Sequence, residues 1–301
     1  MSAESAATWD LDGHQVRITH PDRVYWPESG ITKGDLLDYY RSMGPVMLPH
    51  FVDRPVTARV FPEGISGPSF YRRNRPRTAP EWLVGVEYET ETDHHTLTVP
   101  VIDGTAGLIW FANQGGIEFH LWASRRPRLS EPDLVVFDLD PGEDTPFDAV
   151  LQAALDLRSL LVELGVSSHP KTSGGSGLHV YVGVAAGPGF EATRGWVRDV
   201  AGVLEERTSG RVAVAHGSTH RGTAVTVDHA QNSIGRNTAA PYTVRARPGA
   251  PVSTPLEWAE VEAGGFVPGD FTLRDVPDRV RERGDVFAPV LNDRNELPPV
   301  R

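Results

Sequence analysis

The sequence predicts an α+β fold in which mixed or antiparallel β-sheets form the core and α-helices flank them. Three observations predict it. Strand-like and helical runs interleave irregularly instead of alternating as regular β-α-β units. The most apolar strand candidate, VVFDLDPG, ends in two acids, Asp138 and Asp140. With 301 residues, 39% of them hydrophobic and 8% aromatic, the chain is long enough to bury a substantial core.

The elements follow in order. Thr32 and Asp35 have capping-box spacing, and Leu36, Leu37, Tyr39, Tyr40, Met43 and Met47 follow at helical period, predicting a helix that ends near Pro49. VTARVFP alternates as a strand and leads into PEGISGPSFYRRNRPRTAP, a Pro-, Gly- and Arg-rich loop. EYETE and TLTVPV, joined by TDHH, read as a hairpin. Asp103 is placed to cap a short helix through Leu108 and Phe111, and IEFHLW returns as a strand with Glu118, His120 and Trp122 on one face. After FDLDPG, Thr145 and Asp148 form a second capping-box pattern, and the helix from Val150 to Leu164 closes at Gly165. LHVYVGV alternates, a helix carries Trp196, Val197, Val200, Val203 and Leu204, TAVTVD brings in Asp228, and Thr254, Pro255 and Glu257 announce a last short helix. The expected organisation is a single domain over 1–301: a part over about 12–115, a catalytic core over about 116–285, and a mobile tail over 286–301.

Composition narrows the function. No apolar run approaches the roughly 18 residues of a membrane span, and MSAESAATWD lacks the basic flank and apolar core of a signal peptide, so no membrane partner and a cytoplasmic location are expected. The chain has no cysteine, so a metal would be held by oxygen or imidazole. A net charge of −11 argues against nonspecific nucleic-acid binding, but the distribution is uneven. Arg54, Arg59, Arg72, Arg73, Arg75 and Arg77 face a single acid, Glu63, and Arg125, Arg126 and Arg128 cluster again. Such clusters are ordinarily solvated loops. Phe70 and Tyr71 directly before Arg72 and Arg73, however, have the pattern of a base-stacking platform beside a phosphate clamp.

Three segments carry chemistry. In a strand, residues two apart share a face, so Leu134, Val136, Asp138 and Asp140 point one way and Val135, Phe137 and Leu139 the other. Paired carboxylates repel, and a divalent cation removes the repulsion; Asp228 would complete a site for two hard cations about 4 Å apart. A solvated strand end is the plain alternative. In KTSGGSGLHVYV, glycines let backbone N–H groups approach an anion, Ser173 and Ser176 add hydroxyls, and His179 follows on a strand. A tight hairpin with a structural histidine fits the same residues. In VDHAQNSIGRNTAAPYTVRARPG, amides surround Asp228, and Arg245 and Arg247 share a face, as phosphate recognition by guanidinium requires.

In this order and spacing, the segments resemble the polymerase domain of bacterial ATP-dependent DNA ligase D, in the archaeo-eukaryotic primase superfamily, from about Asp12 to Asp285. The most specific text is FDLDPG, TSGGSGLH and VDHAQNSIGRNTAAPYTVR, supported by GITKGDLLDYY and STPLEW. The resemblance implies a primase-polymerase fold and a template-directed nucleotidyltransferase that adds NTPs or dNTPs at DNA ends or short gaps. It implies two divalent ions, Mn2+ or Mg2+, on Asp138, Asp140 and Asp228; nucleotide contacts from Ser173, Ser176, His179, His120, Arg221 and Arg245; and a DNA 5′-phosphate recognised by Arg23 and Lys33, with Phe70 and Tyr71 stacking on template bases. It also implies a ribonucleotide preference and, as partners, DNA with breaks or gaps, Ku and a separate ATP-dependent DNA ligase, since no KxDG adenylation motif occurs here and a stand-alone polymerase is expected. Arg23 stands where lysine is common, Tyr71 where phenylalanine is, and Ser176 where some members carry a lysine, which weakens the expected grip on triphosphate. Rival readings are a two-metal nuclease or phosphatase and a noncatalytic DNA-end scaffold.

Overall fold

A computed structural model of the chain describes residues 7–90, 94–215 and 222–300. Its centre is a five-stranded sheet in the order His169–Thr172, Leu178–Gly183, Leu134–Pro141, Val225–Val227, Val212–Val214. Every pairing is antiparallel except the last, which is parallel. Strand alternation divides the long central strand as its sequence predicts. Val135, Phe137 and Leu139 enter a core with the helices Phe147–Glu163 and Phe190–Arg207, whereas Val136 faces Tyr181 and Phe287 on the other side. The acids continue along that second face toward the strand's end.

A four-stranded antiparallel sheet, in the order Thr238–Ala239, Gly116–Leu121, Val56–Val60, Phe70–Arg72, forms the other half. It shares a core with the helices Lys33–Phe51 and Thr105–Asn113. Strand Gly116–Leu121 and residues such as Tyr242 and Val252 belong to this core, so the two cores do not separate at 115/116; the chain returns to the first half after completing the second.

Local capping explains where elements begin. The box at Thr32 forms as expected, with Asp35 Oδ2 accepting from Thr32 N at 2.8 Å and Thr32 Oγ1 accepting from Asp35 N at 3.1 Å. That helix runs past Pro49 to Phe51. Pro45 and Pro49 both lie inside it, each leaving the carbonyl four residues earlier without its helical donor, and Val52 N–H closes the end on Leu48 O at 3.0 Å. Asp103 does not cap the next helix. Asp12 reaches across from the hairpin Thr8–Leu11/His14–Arg17 and accepts from Ala106 N at 2.9 Å, while Asp103 pairs with Arg126 at 2.6 Å. Nor does the Thr145 box form: Pro146 takes the N-cap position of Phe147–Glu163, and Thr145 Oγ1 has no hydrogen-bond partner among the described residues. Gly165, at φ +73°, ends this helix as expected.

The C-terminal segment corrects the expectation of a mobile tail from 286. His169 pairs with Asp293 at 2.7 Å, Asn295 Nδ2 donates to Gly183 O at 2.8 Å, and Trp196 Nε1 donates to Pro298 O at 2.9 Å. Phe287 and Val290 are buried against Tyr181. The Pro-rich composition suggested freedom, but sheet-edge hydrogen bonds and a tryptophan hold the segment down. No helix among the described residues is long and apolar enough to cross a membrane.

Candidate active site

The two sheets face one another across a polar cleft of about 430 Å³. The registers of the five-stranded sheet decide what enters it. Asp138 lies opposite His179, and His179 lies opposite Lys171. On the other flank Leu139 pairs with Val227, and Asp228 N–H donates to Asp138 O at 3.1 Å, extending that ladder by one residue. Lys171, His179, Asp138 and Asp228 therefore form a row across four strands on one face, with Asp140 two residues along. Side chains directly opposite begin about 5 Å apart, and like charges so placed repel.

Asp138 and Asp140 both line the cleft. Burial pushes the Asp138 carboxyl up to about 6 despite the nearby positive charges of Lys171 and Arg245, so its charge is undercompensated. His179 Nε2 lies 3.1 Å from Asp138 Oδ1, and burial drives the imidazole well below its ordinary value. Asp228 is half-buried and does not line the cleft. Its Oδ1 accepts from Ala230 N at 2.8 Å and caps the 3-10 turn His229–Asn232. Among the described residues no three His, Cys, Asp or Glu side chains are gathered into a coordination set. The donors nonetheless suit a hard divalent cation: two carboxylates in a polar cleft, one with a charge deficit, and a third on the adjoining strand.

The glycine turn works differently from its expectation. Gly174 takes φ +67°, and a Cβ there would lie 2.6 Å from Arg245 Cγ, so glycine admits the arginine. The N–H groups of Gly175 and Gly177 do not point to an anion; both donate to Ser173 Oγ at 3.1 Å. Ser173 thus braces its own turn, while the exposed Ser176 lines the cleft. Positive charge comes from guanidinium groups instead: Arg73, Arg236, Arg245 and Arg247 all line the cleft. Arg245 donates to Ser173 O.

On the opposite wall, His120 Nε2 donates to Glu118 Oε2 at 3.1 Å, and burial lowers its pKa. Glu118 is 1% exposed. Burial would raise its pKa, but the His120 hydrogen bond and the Arg245 charge outweigh it and bring the carboxyl down to about 2. Tyr71 is half-exposed, lines the cleft, and meets His120 edge-on at 6.0 Å. Phe70 does not line it. Adjacent residues of strand Phe70–Arg72 point to opposite faces, so the two rings do not form one platform; Arg72 lies over Phe70 and Arg59 over Tyr71.

Arg23 and Lys33 also lie away from this cleft. Arg23 is exposed and donates to Pro62 O at 2.9 Å. Lys33 is 3% exposed and donates to Thr19 Oγ1 at 3.1 Å; burial, then the Arg23 charge, lowers its pKa to about 8. Its ammonium is turned inward, which departs from the expected DNA-end contact. Arg221 lies outside the described residues. Gln231 lines the cleft, whereas buried Asn232 pins the turn to the central strand through both Val136 N (2.9 Å) and Val136 O (2.7 Å).

Sequence reasoning passed over Lys171 and the role of Glu118, whereas Arg73, read as part of a phosphate clamp, does line the cleft. Counting outward from the turn 173–177 pairs Lys171 with His179, a signal available in the sequence. The burial of Glu118 on both sides of its strand was not.

Residues 32–287 match the family model described as LigD, primase-polymerase domain. The chain is 33% identical over 293 residues to the multifunctional non-homologous end joining protein LigD of Mycolicibacterium smegmatis, covering 95% of this chain and 37% of that protein. It is 31% identical over 267 residues to the protein of the same description from Pseudomonas aeruginosa, covering 89% of this chain and 31% of that protein. The chain thus spans about a third of the length of these curated relatives. Among solved structures, the polymerase domain from Mycobacterium tuberculosis ligase D in complex with DNA superposes with a TM-score of 0.87 at 31% identity, over 93% of this chain and 99% of that one.

Proposed function

The chain belongs to the LigD primase-polymerase domain family, and from that premise we propose that it is a template-directed nucleotidyltransferase that extends DNA ends and fills short gaps. The observation that carries this reading is the pairing, in one cleft, of two carboxylates, one of them undercompensated, with four arginines. A hydrolase of phosphomonoesters or nucleic acid needs the carboxylates but has little use for so many guanidinium groups around a single site; a triphosphate with several negative charges does.

In the proposed reaction the primer 3′-oxygen forms a bond to the nucleotide α-phosphorus as the bond to the bridging α–β oxygen breaks, and pyrophosphate leaves. Arg245 and Arg247 hold the β- and γ-phosphates, Arg236 and Ser176 close around them, and Tyr71 offers its ring face to a base. His179, whose Nε2 lies 3.1 Å from Asp138 Oδ1, flanks that carboxylate; His120, tied to Glu118, walls the sugar side. Asp138, Asp140 and Asp228 would hold two divalent ions, Mn2+ or Mg2+, whose chemistry there is Lewis-acid stabilisation of the transferring phosphoryl group and of the attacking oxygen. Arg23 beside Lys33 remains the candidate for a downstream 5′-phosphate, through Arg23. The relatives' names place them in non-homologous end joining; we extend that pathway to this chain, with Ku and an ATP-dependent DNA ligase as partners.

The test is extension of a labelled primer across a short gap with a downstream 5′-phosphate, supplying Mn2+ and either NTPs or dNTPs. Templated addition by the unaltered chain and a loss of at least about a thousandfold in Asp138→Ala/Asp140→Ala are expected. Primer degradation would make the chain a nuclease, and DNA binding without turnover a scaffold.

A further inference from the structure

One polar side chain of the cleft has no task in this reaction scheme. Asn237 is half-buried and lines the cleft beside Arg236. It directly precedes strand Thr238–Ala239, in which Ala239 lies opposite His120, and His120 in turn lies opposite Thr57. Opposed residues of antiparallel strands share a face, as do residues two apart along one strand. Thr57, His120 and Ala239 therefore form a row on the cleft wall, and Asn237, two residues before Ala239, stands beside that row. Its Nδ2 donates to Thr57 Oγ1 at 3.2 Å, and Thr57 is 1% exposed. The nitrogen and oxygen of a carboxamide diverge from one carbon, so fixing the nitrogen on a buried hydroxyl leaves Oδ1 as the polar atom this side chain presents to the cleft. That oxygen accepts no hydrogen bond among the described residues.

The neighbours indicate which part of a nucleotide meets it. His120 stands between the ring offered to a base and the guanidinium offered to phosphates: it meets Tyr71 edge-on at 6.0 Å, and it shares Glu118 with Arg245, at 3.1 and 3.4 Å. A sugar joins base to phosphate and so spans the same interval. We propose that Asn237 is a specificity-determining residue for the nucleotide sugar, its Oδ1 accepting from the 2′-hydroxyl of a ribonucleoside triphosphate. A deoxynucleotide lacks that donor and leaves the oxygen unmet after displacing water from the cleft, which disfavours it. The placing of base and phosphates rests on the polymerase reading; the anchoring of the amide on Thr57 does not.

The experiment compares ATP, 2′-dATP and 3′-dATP in the presence of Mn2+, first as calorimetric binding to the full chain without primer, then as kcat/KM for a single addition opposite thymine in a gap. The unaltered chain is expected to favour ATP over 2′-dATP by about fivefold or more in both, and over 3′-dATP by less than about twofold. Equal treatment of ATP and 2′-dATP, or a loss that falls on 3′-dATP instead, overturns the proposal and requires no variant to fold. In Asn237→Leu the preference for ATP over 2′-dATP is expected to drop below about twofold. Asn237→Asp keeps an acceptor at the same length and should retain the preference while binding both triphosphates more weakly through charge repulsion. Thr57→Val, which cannot hold the amide, should fall between. A preference that persists in Asn237→Leu while primers are extended removes the sugar assignment and leaves the polymerase reading intact. A preference that depends on Asn237 in the binding measurement, without any primer extension, removes the polymerase reading and leaves the sugar contact standing.

Discussion

Glu118 and Asp138 are buried carboxylates on two different sheets beside one cleft, and their acidities move in opposite directions. Glu118 is brought down to about 2 and Asp138 is pushed up to about 6. Both pay for desolvation; what differs is the company. Glu118 accepts from Ala246 N at 3.0 Å and has His120 at 3.1 Å, Arg245 at 3.4 Å and Arg59 at 3.6 Å. Asp138 has an imidazole beside it, and the positive charges of Lys171 and Arg245 do not outweigh its burial. A carboxylate completed by the protein's own cations is architecture, whereas one left incomplete is a site waiting for a cation from outside.

The largest consequence concerns Glu118. Its carboxyl lies well below the ordinary 4.5, so its charged form stabilises the fold fully above that value, and the contribution is lost as pH falls toward about 2. At about 1.4 kcal/mol for each pH unit this is on the order of 3 kcal/mol. Glu118→Gln should therefore lose about that much in chemical denaturation at pH 7, with the deficit shrinking between pH 5 and pH 2. A deficit independent of pH would break the comparison, because Glu118 would then be stabilising through shape alone.

Asp138 should behave in the opposite way. Asp138→Asn removes an undercompensated buried charge, so the apo protein is expected to be no less stable than the unaltered chain. Mn2+ should separate the two: at a hundred times its Kd a bound ion stabilises by about 2.7 kcal/mol, seen as a rise in Tm for the unaltered chain and none for Asp138→Asn. Equal shifts in both proteins would mean that the cation binds elsewhere, and the contrast with Glu118 would lose its functional meaning.

Much of this contrast was legible in the sequence, and the illegible part has a physical cause. Strand periodicity put Asp138 and Asp140 on one face, and the strand after the glycine turn carries His179 as its text predicts. Local text also announced the helix caps at Thr32 and Gly165. What periodicity cannot announce is a partner from far along the chain: Asp12 capping the helix at Ala106, Ser253 anchoring Lys171, or Arg245 neutralising Glu118. The same limit produced the misreadings. Thr145 and Asp103 carry capping residues at the right spacing but are displaced by Pro146 and by Asp12, and Lys33 reads as a free basic residue until Thr19 is seen to hold it.

The smallest effect concerns the edge strand Phe70–Arg72, separated from Glu118 by the strand of Arg59. Arg59 lies 3.6 Å from Glu118 and 5.5 Å from the Tyr71 ring centre, and Tyr71 touches His120, which Glu118 also holds. The completed carboxylate thus sets the aromatic face that the cleft presents. Phe70, on the other face of the same strand, has Arg72 over its ring and does not line the cleft. Loss of a base-stacking ring costs about 1 kcal/mol at the lower end of its range, roughly fivefold in Kd. Tyr71→Ala is accordingly expected to weaken binding of a primer–template with bound nucleotide by that factor, and Phe70→Ala by less than twofold, in fluorescence anisotropy titrations. Equal losses would mean that both rings reach DNA and that strand alternation does not govern the platform. A Tyr71→Ala effect that disappears in a Glu118→Gln background would tie the ring's orientation to the buried carboxylate, extending its role from holding the wall together to shaping what the wall recognises.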